Sequence, residues 1–302
     1  MDWQIPRFPL AELADLALDW LTATFSGLTR AVSRVVSSGL DATISGLLWL
    51  PPWVVLVAIG ALVWWLVGRR IALLAVLGFA FLWNLGLWNA TIQTVVLVLF
   101  STAVALLIGV PIGILAAVKP RVWRAISPLL DMMQTMPSFV YLIPAIPFFG
   151  LGAVSACFAT IVFAMPPTIR LTALGILQTP PQLIEAADAF GSSRVQKLVK
   201  VELPLALPTI MAGINQTIML ALSMVVIAAM IGAGGLGGEV WRAIQRLEAG
   251  QGVQAGIAIV LLAIILDRIT QQIAHKLQAE ARGGAIPSEA GAQPAEDQPK
   301  PA

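Results

Sequence analysis

The stretch Glu185–Pro204, EAADAFGSSRVQKLVKVELP, is a polar island in an apolar chain. It carries three acids (Glu185, Asp188, Glu202) and three bases (Arg194, Lys197, Lys200). Arg170 is the only charge between Asp131 and Glu185, and after the island no charge occurs before Glu239. Of the 302 residues, 58% are hydrophobic and 11% are charged, and the mean hydropathy is +0.88. A soluble domain carries about 25% charged residues. The island is therefore a loop between membrane spans, longer and more charged than a connector needs.

Charge-free runs set out the spans on either side. Leu47–Gly68 is about 22 residues, enough to cross a bilayer at about 1.5 Å per residue, with Trp49, Trp53, Trp64 and Trp65 near its ends. Arg69 and Arg70 close it. Ile71–Val118 has no charge over about 48 residues and reads as two spans, broken near Asn84–Thr91 and closed by Lys119, Arg121 and Arg124. Met132–Ile169 reads as two more, with a turn at Pro144, Pro147, Gly150 and Gly152. Leu203–Gly238 and Ala249–Leu266 complete about seven transmembrane helices in an all-α membrane protein. Ahead of them, residues 1–46 place Leu10, Leu13, Ala14, Ala17, Leu18 and Leu21 at helical spacing. This segment is either an amphipathic helix on a membrane surface or partner, or a solvated tail with a weak helix. The last residues, 275–302, rich in Ala, Gly, Pro, Gln and Glu, read as a disordered tail.

Alternating the loops puts Arg69–Arg70, Lys119–Arg124, the island and the tail on one side. That set holds most of the Lys and Arg of the short loops, so it is cytoplasmic and the N-terminal segment is outside. The net charge of +2, from scattered bases, offers nothing to nucleic acid. A lone cysteine, Cys157, excludes an intrachain disulfide, and a lone histidine, His275, excludes a multi-histidine metal site. No secretory signal is expected in the charged N-terminal segment. GxxxxGK[ST], HExxH, GxSxG and CxxC are all absent. Charges within the spans stand only at their edges: Asp131, Arg170, Asp267 and Arg268. Ion-coupled transporters commonly keep such groups deep in the membrane. The expected protein is no enzyme, and its energy comes from elsewhere.

The island has its own grammar. Thr179 is placed to cap a helix starting at Pro180 or Pro181. Ala186, Ala187 and Ala189 make one flank small, Phe190 protrudes, Gly191 allows an elbow, and Ser192 or Ser193 caps a second short helix to Lys200. Such a hairpin either docks in a partner's groove or is merely solvated.

Glu185-Ala186-Ala187, three residues, Gly191, nine residues, Val201, one residue, Leu203-Pro204 resembles the EAA loop of type I ABC importer permeases. Val201 stands where the family usually has isoleucine. Asp131–Pro144, Pro208–Gly213 and Gly232–Gly237 are similar to the glycine betaine, proline betaine and choline branch. The resemblance covers about residues 90–274 and implies a five-helix core there, with two additional spans in 47–89 and a cytoplasmic EAA loop at 180–205. It further implies a multi-pass protein of the bacterial cytoplasmic (inner) membrane that translocates a quaternary amine osmolyte. An ABC ATPase subunit would bind the ATP, leaving this chain with no cofactor. An extracytoplasmic substrate-binding protein would deliver substrate, and a second permease copy, most simply identical, would complete the pathway in the lipid bilayer. The contact with the ATPase would fall to Glu185, Ala186, Ala187, Phe190, Gly191, Leu203 and Pro204.

A quaternary ammonium has no N–H to donate, so aromatic faces and carbonyl dipoles would hold it. Phe139 and Tyr141 beside the proline break at Pro137, with Gln134, Asn215, Gln216 and Ser223, are the pathway candidates; helix packing is the plain alternative for each. Two other readings stand beside this one. The chain could serve an importer of another small solute such as an amino acid, or act as a stand-alone secondary transporter.

Overall fold

The computed structural model describes residues 9–283. It is helical throughout the described residues. Three long helices make the centre: α4 (Trp88–Val118), α7 (Ala153–Leu177) and α10 (Leu203–Ala229). The 31 residues of α4 reach about 46 Å, more than a hydrocarbon core of about 30 Å. They pack through small residues, because association inside lipid gains little from hydrophobicity and depends on close contact. A Cβ on Gly113 would stand 2.7 Å from the Ile169 carbonyl oxygen, and one on Gly175 3.1 Å from that of Ala206. Between α7 and α10 the buried hydroxyls of Thr168 and Thr217 share a hydrogen bond of 2.7 Å.

Four helices are long and apolar enough to span a membrane alone: α4, α7, the run Arg194–Ala229, and α12 (Ala249–Gly283). Two bent pairs raise the count to six, against about seven expected. In the first pair α1 (Leu10–Trp49) meets α2 (Pro52–Leu66) at 107°. The expected span at 47–68 is thus divided: Leu47–Trp49 finish α1, and the Pro51-Pro52 step forces the corner. α2 and α3 (Arg69–Asn84) have 15 and 16 residues, each short of a full crossing, and pack together as a hairpin.

In the second pair α5 (Pro120–Thr135) turns by 115° into a 3-10 turn (Ser138–Tyr141) and α6 (Leu142–Phe149). Three contacts show the chain from Asp131 to Phe149 running antiparallel to α7. Arg170 is ion-paired with Asp131, Tyr141 lies edge-on to Phe163 with centroids 5.5 Å apart, and Phe149 meets Phe158 at 4.9 Å. Helix α5 thus starts at Pro120, twelve residues ahead of the apolar run that opens at Met132.

Outside the centre, α1 rests on α4, α6 and α7. Leu40 is fully buried and Val36, Ile44, Leu47 and Leu48 are half-buried, while Leu10, Leu28 and Val35 stay exposed. At 100° per residue Glu12, Asp15, Asp19, Arg30, Arg34 and Asp41 fall within an arc of about 100°. The glycine run at 232–238 turns the chain from α10 into α11 (Gly235–Arg246). There the Gly235 and Leu236 amides donate to Gln93 Oε1 and Thr94 Oγ1 of α4, both at 2.8 Å.

The last helix corrects one expectation. It continues past Leu266 to Gly283, so residues 275–283 of the expected disordered tail are helical, and the rest of that expectation lies outside the described residues. Asp267, at the edge of the expected span, therefore lies within the longer helix. It accepts from Asn215 Nδ2 of α10 (3.0 Å) and from Gln271 Nε2 (2.8 and 2.9 Å), and these amide donors let the helix carry a carboxylate there.

Candidate functional site

The island folds into α8 (Pro181–Ala189), an elbow, and α9 (Arg194–Lys197), followed by a π turn (Leu198–Glu202). Proline sits in the first turn of α8, where its missing N–H is no loss. Thr179 does not cap this helix: Pro180 holds the cap position and the Thr179 hydroxyl is buried without a partner. Gly191 makes the elbow at φ +72°, a left-handed conformation that a side chain would strain. Ser193 caps α9 in a reciprocal box, its Oγ accepting from the Gln196 amide while its own amide donates to Gln196 Oε1.

The second helix is not short. α9, the π turn and α10 form one run from Arg194 to Ala229, 36 residues without a break. Leu203-Pro204, read as the island's end, lies inside it. Pro204 is tolerated because the wider π turn precedes it and relieves the backbone there.

Two charge contacts stiffen the loop. Lys197 Nζ lies 2.6 Å from Asp188 Oδ1, closing the elbow. Arg194 donates 2.8 Å to the carbonyl of Val118, the last residue of α4. The C-terminal carbonyls of a helix are unpaired and partly negative, so a guanidinium suits them. Beneath the loop lies an open cleft of about 740 Å³, lined in part by Ala117, Ile176, Ile184 and Glu202. The loop is thus anchored at few points above free space.

Of the residues assigned to the ATPase contact, Ala187 packs inward, Leu203 is half-buried, and Glu185, Ala186, Phe190, Gly191 and Pro204 are exposed. Phe190 is 90% exposed and Val195 70%. Large apolar side chains left open beside exposed alanines make this surface unlike an ordinary solvated loop. The spacing of the island did not single out Arg194 as a tether, since its partner is 76 residues away.

The pathway candidates separate into three groups. Gln216 and Ser223 share an exposed stripe of α10 with Ala212 and Met230. Gln134, Pro137 and Phe139 are exposed at the bend between α5 and α6, and the 3-10 turn there touches α10. Tyr141 and Asn215 lie apart from both. Tyr141 is buried with its hydroxyl on the Met133 carbonyl, and Asn215 turns to α12 and Asp267.

Comparison with known proteins agrees with this geometry. The family described as "Binding-protein-dependent transport system inner membrane component" matches residues 109–279. The glycine betaine transport system permease protein OpuAB of Bacillus subtilis is 51% identical over 282 residues, 93% of this chain and 99% of that protein. The glycine betaine/proline betaine transport system permease protein ProW of Escherichia coli is 45% identical, covering 88% of this chain and 75% of its own. Among solved structures, a chain of the inward-facing MetNI methionine ABC transporter is similar with TM-score 0.53 and 25% identity, covering 63% of this chain and 93% of that one. The chain belongs to the binding-protein-dependent transport system inner membrane components, the permease subunits of ABC importers.

Proposed function

We propose that this permease imports glycine betaine or a closely related quaternary amine such as proline betaine or choline. The relatives named for glycine betaine transport, similar over nine-tenths of the chain, support the substrate class. The energy comes from a separate ATPase subunit, in keeping with the missing P-loop. The observation that carries the coupling assignment is the exposed face of α8 and its elbow, with Phe190 almost fully open. Glu185, Ala186, Phe190 and Gly191 meet the ATPase there. Ala187 shapes the loop from within, and Leu203 and Pro204 pass its motion to α10.

The core spans residues 90–274, with the hairpin of α2 and α3 (Pro52–Asn84) beside it and the N-terminal segment outside the cell, its apolar stripe against the lipid. Gln216 and Ser223, with Phe139 and Gln134, line the pathway where a second, identical copy meets the exposed stripe of α10. A substrate-binding protein delivers solute to the outer face. The test is uptake of labelled glycine betaine by the complete complex carrying Glu185→Ala and Gly191→Val. Uptake is lost and less ATPase copurifies, while membrane insertion is unchanged. Normal ATPase association in that variant would count against the docking face. A cognate binding protein that ignores betaine but binds an amino acid would overturn the substrate alone.

A further inference from the structure

We propose that the groove between α3 and α12 holds one anionic phospholipid, its acyl chain along the groove and its phosphate at Arg70 and Arg268. The walls are Leu74, Leu77 and Phe81 from α3 and Ile257, Val260 and Ile264 from α12, around an open volume of about 730 Å³. The floor is closed because Gly78 brings the helices together: a Cβ there would stand 2.5 Å from Ile265 Cδ1.

The two helices run antiparallel in a register fixed at three levels. Gln254 Nε2 donates to the Leu85 carbonyl (2.8 Å), Gly78 meets Ile265, and Lys276 Nζ donates to the Leu66 carbonyl (2.7 Å). Arg70 stands one turn before Leu74 on the groove face of α3, and Arg268 one turn after Ile264 on that of α12. The register sets both arginines at the same end of the groove. Both are exposed, and neither joins an ion pair among the described residues. Asp267, adjacent in sequence to Arg268, is occupied by Asn215 and Gln271 on another face.

Charge and length both suit a lipid. Arg69 and Arg70 open α3, where the helix dipole is positive and disfavours cations. A phosphate at that end would meet two guanidiniums and the free amides of the first turn. From Arg70 to Phe81 is about 16 Å, close to the ~15 Å of one leaflet's hydrocarbon. The inference needs insertion in a membrane, and does not depend on which solute is carried.

The test is native mass spectrometry of the full-length chain in neutral detergent, with phosphatidylglycerol and phosphatidylcholine of identical acyl chains. Two arginines favour phosphatidylglycerol by about thirtyfold. Arg70→Gln with Arg268→Gln abolishes the preference, and Arg70→Lys with Arg268→Lys retains it in part. Leu77→Trp, which fills the groove, lowers retention of both lipids. Equal binding of the two lipids by the wild-type chain, or a preference surviving the double glutamine variant, would overturn the proposal. So would oxidative cross-linking of Leu77→Cys to a second copy; Cys157 is buried and gives no background.

Discussion

Single side chains decide how the loop is held. Arg194 reaches from α9 to the end of α4, so the loop is tied to two helices rather than one. The bond is exposed and is worth about 0.5–1 kcal/mol. Arg194→Ala should therefore leave ATPase copurification unchanged while lowering uptake per ATP hydrolysed by up to about fivefold. Measuring transport and hydrolysis in the same proteoliposomes checks this, and an unchanged ratio would remove the tether from the coupling path. Asp267 is a different case. Asp267→Asn keeps an acceptor oxygen for the amides of Asn215 and Gln271, and transport should survive. Asp267→Leu leaves the part-buried Asn215 amide without its partner, at about 1–3 kcal/mol, while Gln271 is exposed, and thermal unfolding in detergent should shift down. If both substitutions stopped transport without altering stability, the carboxylate would have a role in translocation itself.

At the level of elements, the unbroken run from Arg194 to Ala229 is the connection between loop and span. Inserting two glycines after Lys200 should uncouple them, since glycine is the most conformationally free residue. The ATPase subunit should still copurify, and uptake should fall to background; retained uptake would show that motion enters through α4 instead. Packing of α4 on α7 makes a second demand. Gly113→Val sets a branched side chain against the Ile169 carbonyl and should cost more than the 1–3 kcal/mol typical of overpacking. Loss of folded protein by fluorescence-detected gel filtration checks it.

The charge-free runs at 71–118 and 203–238 were enough to locate α4 and α10, and Gly191 with the Ser192–Ser193 pair announced the elbow and its cap, which the fold gives to Ser193. What sequence did not reveal depends on distant partners. α5 begins at Pro120 among charges because it is amphipathic, so hydropathy marks only its last residues and the α6 that follows. α12 passes Asp267 because Asn215, 52 residues earlier, satisfies the carboxylate. Spacing could mark Tyr141 as an aromatic in a broken segment, but only the fold shows that Phe163 and the Met133 carbonyl already occupy it.

In the whole molecule, the exposed stripe of α10 departs from a self-contained bundle by leaving polar side chains uncovered. Gln216 and Ser223 face outward from a helix whose other sides are buried. Cysteine at Gln216 should cross-link two copies in native membranes, whereas cysteine at Leu107, 76% exposed on α4, should not. Equal cross-linking at both positions would remove α10 from the interface.

The run Arg194–Ala229 measures about 54 Å from the loop to the glycine turn. Such a rod works as a lever. A tilt of about 10° about one end displaces the other by about 9 Å, and a pivot near the middle moves the ends in opposite directions by half as much. In the arrangement proposed above, with the inner end at the ATPase and the outer end at the mouth, one swing that parts the inner ends of two facing levers would bring the outer ends together. The two sides of the membrane are then never open at once, and no separate latch is required.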